Sequence, residues 1–317
     1  MKKLNTIFMG NPEFCLTTLN TLLDNPKINL IAVCGGMDKK VGRGQKLTSP
    51  ATIDFAKKNN IHFIQSENIN KSDEFFSFVD KNDIDLIIVF AFSHFLSKKI
   101  LEIPNLGCFN FHTSLLPKYR GSSPIHYALL NNDKITGISI QRMVKQMDAG
   151  DVLISHEILI DPKDDYSVLC QKIFNTLPMV TNKFIETLTS PPLKFTIQDE
   201  NNVSFAPLIK KEDGLINPSL DSYEILVNKI RAFSVWPGVY CYINNQRTKI
   251  HEIKNSMKAV KPGKILIEQN NILLGLKNDT IEISCLQPPG KKPMTNNEYI
   301  NGLKGVLDLT FSMNEEI

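Results

Sequence analysis

The sequence predicts an α/β protein: a doubly wound, mostly parallel sheet followed by a smaller β-barrel of the OB type. Three observations carry this. Short continuous apolar runs alternate with helical patterns through the first 189 residues, as parallel strands joined by crossover helices do. Ser190-Pro191-Pro192 then breaks the pattern and opens a stretch long enough to connect two domains. Beyond it, a run of short β-rich pieces separated by turns reads as a small barrel. The expected division is residues 1–189 as one domain, 190–206 as a linker and 207–317 as a second domain.

Taken in order, residues 4–9 are an apolar run stopped by Gly10-Asn11-Pro12, a strand followed by a turn. Pro12 suits the first turn of a helix, and Phe14, Leu16, Leu19, Leu22 and Leu23 supply its apolar face. Residues 28–34 are apolar enough to be buried on both sides, and residues 35–46 then form a flexible loop rich in glycine and lysine. A helix after Pro50, strands at 61–64 and 85–91, and helices at 71–79 and near Lys98 continue the alternation. The next strand begins at Cys108. Residues 124–130 read as a helix, 136–143 and 152–160 as strands, and 166–188 as a long helix. In the second part a helix at 222–232 precedes strands at 239–243, 248–253, 263–267, 272–276 and 280–286. Trp236, the only tryptophan, is expected in the core.

Composition bounds the function loosely. The 36 Lys and Arg against 33 Asp and Glu leave a net charge of +3, which permits an anionic partner without demanding one. Six cysteines with no C-x-x-C argue for buried free thiols in a reducing compartment, and against a disulfide framework or zinc site. No apolar run approaches the roughly 20 residues that span a bilayer, and residues 4–9 are too short for a secretory signal. A cytoplasmic protein with no membrane partner is expected.

Chemistry is concentrated in two places. Gly10-Asn11-Pro12-Glu13 fails as a dinucleotide fingerprint, and Gly42-Arg43-Gly44-Gln45-Lys46 fails as a P-loop, so nucleotide cofactors lose support. Cys108-Phe109-Asn110-Phe111-His112 instead begins as a strand and breaks into a polar loop. Side chains two apart share a face, so Asn110 and His112 point the same way. An amide beside an imidazole at a strand end suits stabilisation of a developing oxyanion. Asp148 follows another strand, and open sheets hold ligands at strand carboxyl ends. A carboxylate beside an imidazole favours its charged form, or pairs with it as a base. Without a Ser or Cys nucleophile, such a set points to direct transfer in which the substrate supplies the nucleophile. Read structurally, the same residues are a capped strand end and a turn carboxylate near Gly150.

Asn110-Phe111-His112-Thr113-Ser114-Leu115-Leu116-Pro117-Lys118-Tyr119-Arg120-Gly121, with Gln146-Met147-Asp148-Ala149-Gly150-Asp151, resembles the central motif of the formyltetrahydrofolate-dependent formyltransferases. Other stretches resemble the branch of that family that acts on charged tRNA. These are Phe8-Met9-Gly10-Asn11-Pro12-Glu13-Phe14, the loop Val41-Gly42-Arg43-Gly44-Gln45-Lys46-Leu47, and the C-terminal Arg231-Ala232-Phe233-Ser234-Val235-Trp236-Pro237-Gly238 and Leu286-Gln287-Pro288-Pro289-Gly290-Lys291-Lys292-Pro293-Met294. The resemblance covers nearly the whole chain. It implies a Rossmann-like catalytic domain, an OB-like tRNA-binding domain, and formyl transfer from 10-formyltetrahydrofolate to initiator methionyl-tRNA.

Carried onto these residues, the resemblance makes Asn110, His112 and Asp148 the catalytic set. It makes Ser114, Leu115, Leu116 and Pro117, with strand-end Phe90, Ala91 and Phe92, the folate wall. The family's usual Ala-Tyr-Gly reads Ala91-Phe92-Ser93 here, and its frequent Thr-Gln-Pro reads Gly35-Gly36-Met37. Lys39, Lys40, Arg43 and Lys46 are expected to contact tRNA phosphates. No metal is implied, and a monomer is expected. His94 and His126 are expected to be structural, satisfied histidines. The competing readings are a formyltransferase for a sugar nucleotide or glycinamide ribonucleotide, and a silent tRNA- or nucleotide-binding protein.

Overall fold

The computed structural model describes residues 2–41, 44–303 and 309–313. The chain forms two compact units, one of Met1–Pro124, Ile135–Leu159 and Gln171–Ala206, the other of Ile125–Lys134, Ile160–Cys170 and Pro207–Ile317. Within the second unit, His126 stacks on Tyr166 with ring centroids 4.1 Å apart, and Arg231 Nε donates to the Asp164 carbonyl at 2.8 Å. These contacts tie two early segments to the C-terminal residues.

The first unit is built on a seven-stranded sheet. Its elements are β1 (Leu4–Met9), α1 (Cys15–Asp24), β2 (Ile28–Gly35), β3 (Lys39–Val41), β4 (Lys46–Thr48), α2 (Ala51–Lys58), β5 (His62–Gln65), α3 (Asp73–Val79), β6 (Leu86–Val89), α4 (Lys98–Leu101) and β7 (Cys108–His112). There follow α5 (Pro124–Leu130), which belongs to the second unit from Ile125 on, then β8 (Ile135–Arg142), β9 (Val152–Leu159) and the long helix α6 (Tyr166–Leu188), of which the first unit holds the part from Gln171. The strand order is β5-β2-β1-β6-β7-β8-β9; the first five are parallel, β8 pairs antiparallel with β7, and β9 antiparallel with β8. From β1 the chain winds first toward β5 and later toward β7, so the switch point lies between β1 and β6. Ligands of open sheets sit outside the carboxyl ends of strands at such a point.

The core follows from the apolar runs. All four residues of β6 are buried, with Ile7, Met9, Ala32, Cys34, Ile87 and Val89 in one cluster. The odd residues of β7 pack behind the sheet: Phe109 and Phe111 meet Phe184 of α6 at centroid distances of 5.1 and 5.7 Å. That leaves Asn110 and His112 on the opposite face, as period-two alternation requires.

Two segments differ from expectation. Residues 39–48 are not simply a loop, because β3 and β4 pair antiparallel with Lys39 opposite Thr48. Backbone pairing in a short ribbon is local and needs no apolar face, so composition conceals it. The segment expected as a linker is laid on the first unit instead. Thr196 and Val152 exchange backbone hydrogen bonds at 2.8 and 2.9 Å, and Ala206 N donates to the Arg120 carbonyl at 2.8 Å.

The second unit carries α7 (Tyr223–Ala232), β10 (Val239–Ile243), β11 (Gln246–Ser256), β12 (Ile265–Glu268), β13 (Asn271–Gly275), β14 (Thr280–Gln287), β15 (Met294–Thr295), α8 (Asn296–Gly302) and β16 (Phe311–Ser312). Its sheet, ordered β12-β13-β14-β11-β10-β16 with β15 on β14, is antiparallel and curls into a nearly closed barrel. Trp236 is not core: half of its surface is exposed. No helix among the described residues is long and apolar enough to cross a membrane.

Candidate active site

The strand pairing sets the site. In the β7–β8 register Asn110 stands opposite Gln141, and His112 opposite Ser139. Directly opposed residues share a face. Four polar side chains therefore project together at the carboxyl end of β7. Ser139 serves the loop: its hydroxyl donates to the Ser114 carbonyl at 2.7 Å and accepts from Leu116 N at 3.0 Å.

Asp148 is brought onto this patch by the turn between β8 and β9. Its Oδ1 accepts from Asn110 Nδ2 at 3.2 Å and from Gln141 Nε2 at 2.8 Å. Its Oδ2 accepts from Gly121 N at 2.9 Å and lies 3.7 Å from His112 Nδ1. The three residues expected to act together are thus in one cluster. His112 is buried, and its Nε2 lies 2.8 Å from the Tyr119 carbonyl. A carbonyl oxygen can only accept, so Nε2 carries hydrogen and Nδ1 is the nitrogen left facing the carboxylate. Asn110 spends one amide hydrogen on Asp148 and has a second to offer.

A second layer braces Asp148 from the strap after residue 190. Gln198 Nε2 donates to the Asp148 and Gly150 carbonyls at 2.8 and 2.7 Å. Gln198 Oε1 accepts from Arg120 Nε and Nη2 at 3.1 and 3.0 Å, and Arg120, 1% exposed, pairs with Glu200 at 2.8 Å. The Arg120 guanidinium holds the Glu200 carboxyl below its ordinary range. Sequence reasoning missed Gln141, Gln198 and the Gly121 amide. Gln141 did carry one signal, a long amide two residues from Ser139 and so on the same face of the β8 strand; Gln198 carried none.

The expected folate wall is mixed. Phe90 is buried, with its ring against Phe14 and Phe111 and its carbonyl accepting from Cys15 Sγ at 3.3 Å, so it is packing. Ala91 is exposed at φ +49°, where the chain leaves β6, and half-buried Phe92 meets His94 edge-on. Ser114 is fully buried and its hydroxyl donates to the Lys118 carbonyl at 2.6 Å. It shapes the loop. Leu115, Leu116 and Pro117 are half-buried and leave apolar surface beside the cluster. Lys39, Lys40 and Lys46 are exposed on the β3–β4 ribbon, while Arg43 lies outside the described residues. His94 is not the satisfied histidine expected, because its Nδ1 is buried without a hydrogen-bond partner among the described residues.

None of the five buried thiols competes as a nucleophile. Burial pushes Cys108 and Cys241 up to about 12 and Cys170 to about 11, and raises Cys15 and Cys34 further. A thiol held protonated at neutral pH is inert. The cluster can donate hydrogen bonds to a developing oxyanion and accept a proton from an incoming amine.

Comparison with known proteins agrees in kind. The formyl transferase family model matches residues 2–179, and the formyl transferase C-terminal domain model matches residues 208–304. The methionyl-tRNA formyltransferase of Caldicellulosiruptor saccharolyticus is 34% identical over 310 residues, covering 95% of this chain and 97% of the relative. That of Thermotoga maritima is 36% identical over 298 residues, covering 93% and 94%. Among solved structures, WlaRD, a sugar 3N-formyl transferase in the presence of dTDP and 5-N-formyl-THF, superposes with a TM-score of 0.61 at 20% identity, covering 92% of this chain and all of that one. At that identity the likeness is one of fold.

Proposed function

This chain belongs to the methionyl-tRNA formyltransferase family, and from that premise we propose that Asn110, His112 and Asp148 carry a direct formyl transfer from 10-formyltetrahydrofolate to the α-amine of initiator methionyl-tRNA. The protein is an enzyme that formylates methionyl-tRNA from a folate-derived donor. The observation that carries the residue assignment is the Asp148 carboxylate held between Asn110 and Gln141 on one oxygen and facing His112 with the other.

The sequence of events follows from charge. The methionyl amine must lose its ammonium proton before its lone pair can attack, and Asp148, facing Nδ1 of His112, is the base at hand. Attack forms the new C–N bond and places negative charge on the formyl oxygen. The second amide hydrogen of Asn110, with the ring of His112 beside it, stabilises that oxyanion, and losing one such donor costs about 2.7–4 kcal/mol. Collapse breaks the bond from the formyl carbon to the folate N10, which takes the second proton of the attacking nitrogen and leaves as a neutral amine, and Asp148 returns its own proton to solvent. The half-buried Leu115, Leu116, Pro117 and Phe92 offer the apolar surface a flat folate ring needs.

The functional division we assign is residues 1–189 for catalysis and 207–317 for holding tRNA, joined by 190–206. Lys39, Lys40 and Lys46, with Arg43, contact tRNA phosphates in this reading. It also carries with it a cytoplasmic enzyme at the start of translation. A monomer suffices, since all three catalytic groups come from one chain. The test is transfer from 10-formyltetrahydrofolate to methionyl-tRNA by the purified protein. Formylation of a sugar amine, with none of the charged tRNA, would overturn the reading.

A further inference from the structure

We propose that Gln141 is the positioning residue that aims the Asp148 carboxylate, an inference that rests on the reading of Asp148 as a catalytic group. Gln141 is 2% exposed within β8, and both ends of its amide are used. Nε2 donates to Asp148 Oδ1 at 2.8 Å, and Oε1 accepts from Gly150 N at 2.9 Å. This orientation of the amide is chemically forced, because a carboxylate only accepts and a backbone N–H only donates. One side chain thus fixes the catalytic carboxylate and the turn two residues beyond it.

That double hold has work to do. Asp148 lies at φ +51°, in the left-handed region that a non-glycine residue keeps only when its surroundings enforce it. Of the two donors on Oδ1, Gln141 makes the shorter bond, 2.8 Å against 3.2 Å from Asn110. Without Gln141, Asn110 would be the only side-chain hydrogen-bond donor to the carboxylate among the described residues, and the amide needed for the oxyanion would become its anchor. The carboxylate would then turn about its terminal torsion and carry Oδ2 away from His112. Glutamine is suited to the position because it supplies a donor and an acceptor at once; methionine has the volume and neither function.

The experiment uses the full chain and three variants. Gln141→Met should lower kcat about ten- to hundredfold, the factor carried by one hydrogen bond to a charged group, with KM for both substrates within about twofold of the parent. Gln141→Glu keeps an acceptor for Gly150 N but sets a like charge against Asp148 at a buried position, and should lose at least as much kcat. Gln141→Met added to Asp148→Asn should cost nothing further, because residues that act through one another are not additive. A raised KM with kcat preserved would overturn the proposal, as would losses that simply add. Rate losses that track a lowered midpoint in both Gln141 variants would reduce Gln141 to a turn support and overturn it too. The two readings separate cleanly. An Asp148→Asn enzyme at full rate removes the role of Asp148 and this proposal with it, whereas an impaired Asp148→Asn beside a harmless Gln141→Met removes this proposal alone.

Discussion

Gly150 lies against Arg142 so closely that a Cβ built on it would fall on the Arg142 carbonyl oxygen. The contact closes the turn that carries Asp148, since Gly150 N is also the donor to Gln141 Oε1. A backbone oxygen cannot swing aside as the end of a side chain can. Gly150→Ala should therefore cost about 1–3 kcal/mol of stability by overpacking, seen as a fall in thermal midpoint of several degrees. Displacing the turn by about an ångström should also lower kcat about a hundredfold. Thermal unfolding and steady-state formylation check both. An alanine variant with the parental midpoint would show that the turn has slack.

Among the described residues Asn110 has one amide hydrogen engaged, by Asp148, and one without a partner, so its removal tests the oxyanion directly. Asn110→Ala should cut kcat by about 10²–10³, equivalent to about 2.7–4 kcal/mol, while binding of tetrahydrofolate measured by titration changes little. A variant that loses folate affinity and keeps its rate would move Asn110 from catalysis to binding.

Arg120 and Glu200 form a pair of unequal partners. Arg120 is 1% exposed in its side chain, whereas Glu200 is 68% exposed. Glu200→Gln should leave the midpoint almost unchanged, since an exposed partner contributes little. Arg120→Met removes donors from buried Gln198 and should cost about 1–3 kcal/mol, with a loss of activity because Gln198 braces the Asp148 and Gly150 carbonyls. Equal losses from the two substitutions would show that the ion pair, not the buried donors, matters.

Burial holds the His126 imidazole down to about 4 from its ordinary value of 6.5, where it stacks on Tyr166. The sign is fixed by proton counting. Between those values the unfolded chain takes up a proton that the folded chain refuses, so stability is full above about pH 6.5 and falls as pH drops toward 4. His126→Phe keeps the ring contact and removes the proton site. Thermal midpoints taken between pH 4 and 7 should fall less steeply with acid in that variant. Identical slopes would exclude His126 as a source of acid lability.

Much of the fold was legible because apolar periodicity reports burial. The helix over Tyr166–Leu188 and the strand over Val239–Ile243 were readable to the residue. Asn110 and His112 were legible for the same reason, since a period of two puts them on one face. What escaped depends on pairing across distance. Gln141 matters because β8 lies antiparallel to β7 with Asn110 opposite it, a register that no local pattern states. Gln198 reaches the site from a strap fifty residues beyond Asp148, in a stretch whose prolines read as a linker. The helix α8 was missed because its first turn is polar, although Thr295 and Glu298 form a capping box that marks its start.

The lysines of the β3–β4 ribbon give the last test. Lys39, Lys40 and Lys46 are exposed, and none is needed to hold the cluster around Asp148. If they meet phosphates, each contact releases counterions, and the slope of log K against log salt should flatten by about 0.7–0.9 for each lysine removed. Lys39→Ala, Lys40→Ala and Lys46→Ala together should raise KM for methionyl-tRNA with kcat at saturating tRNA and folate binding unchanged. The difference between parent and variant should shrink as salt rises, because screening removes from the parent what the substitutions remove from the variant. A triple variant with the parental salt slope would place the tRNA contact elsewhere on the chain.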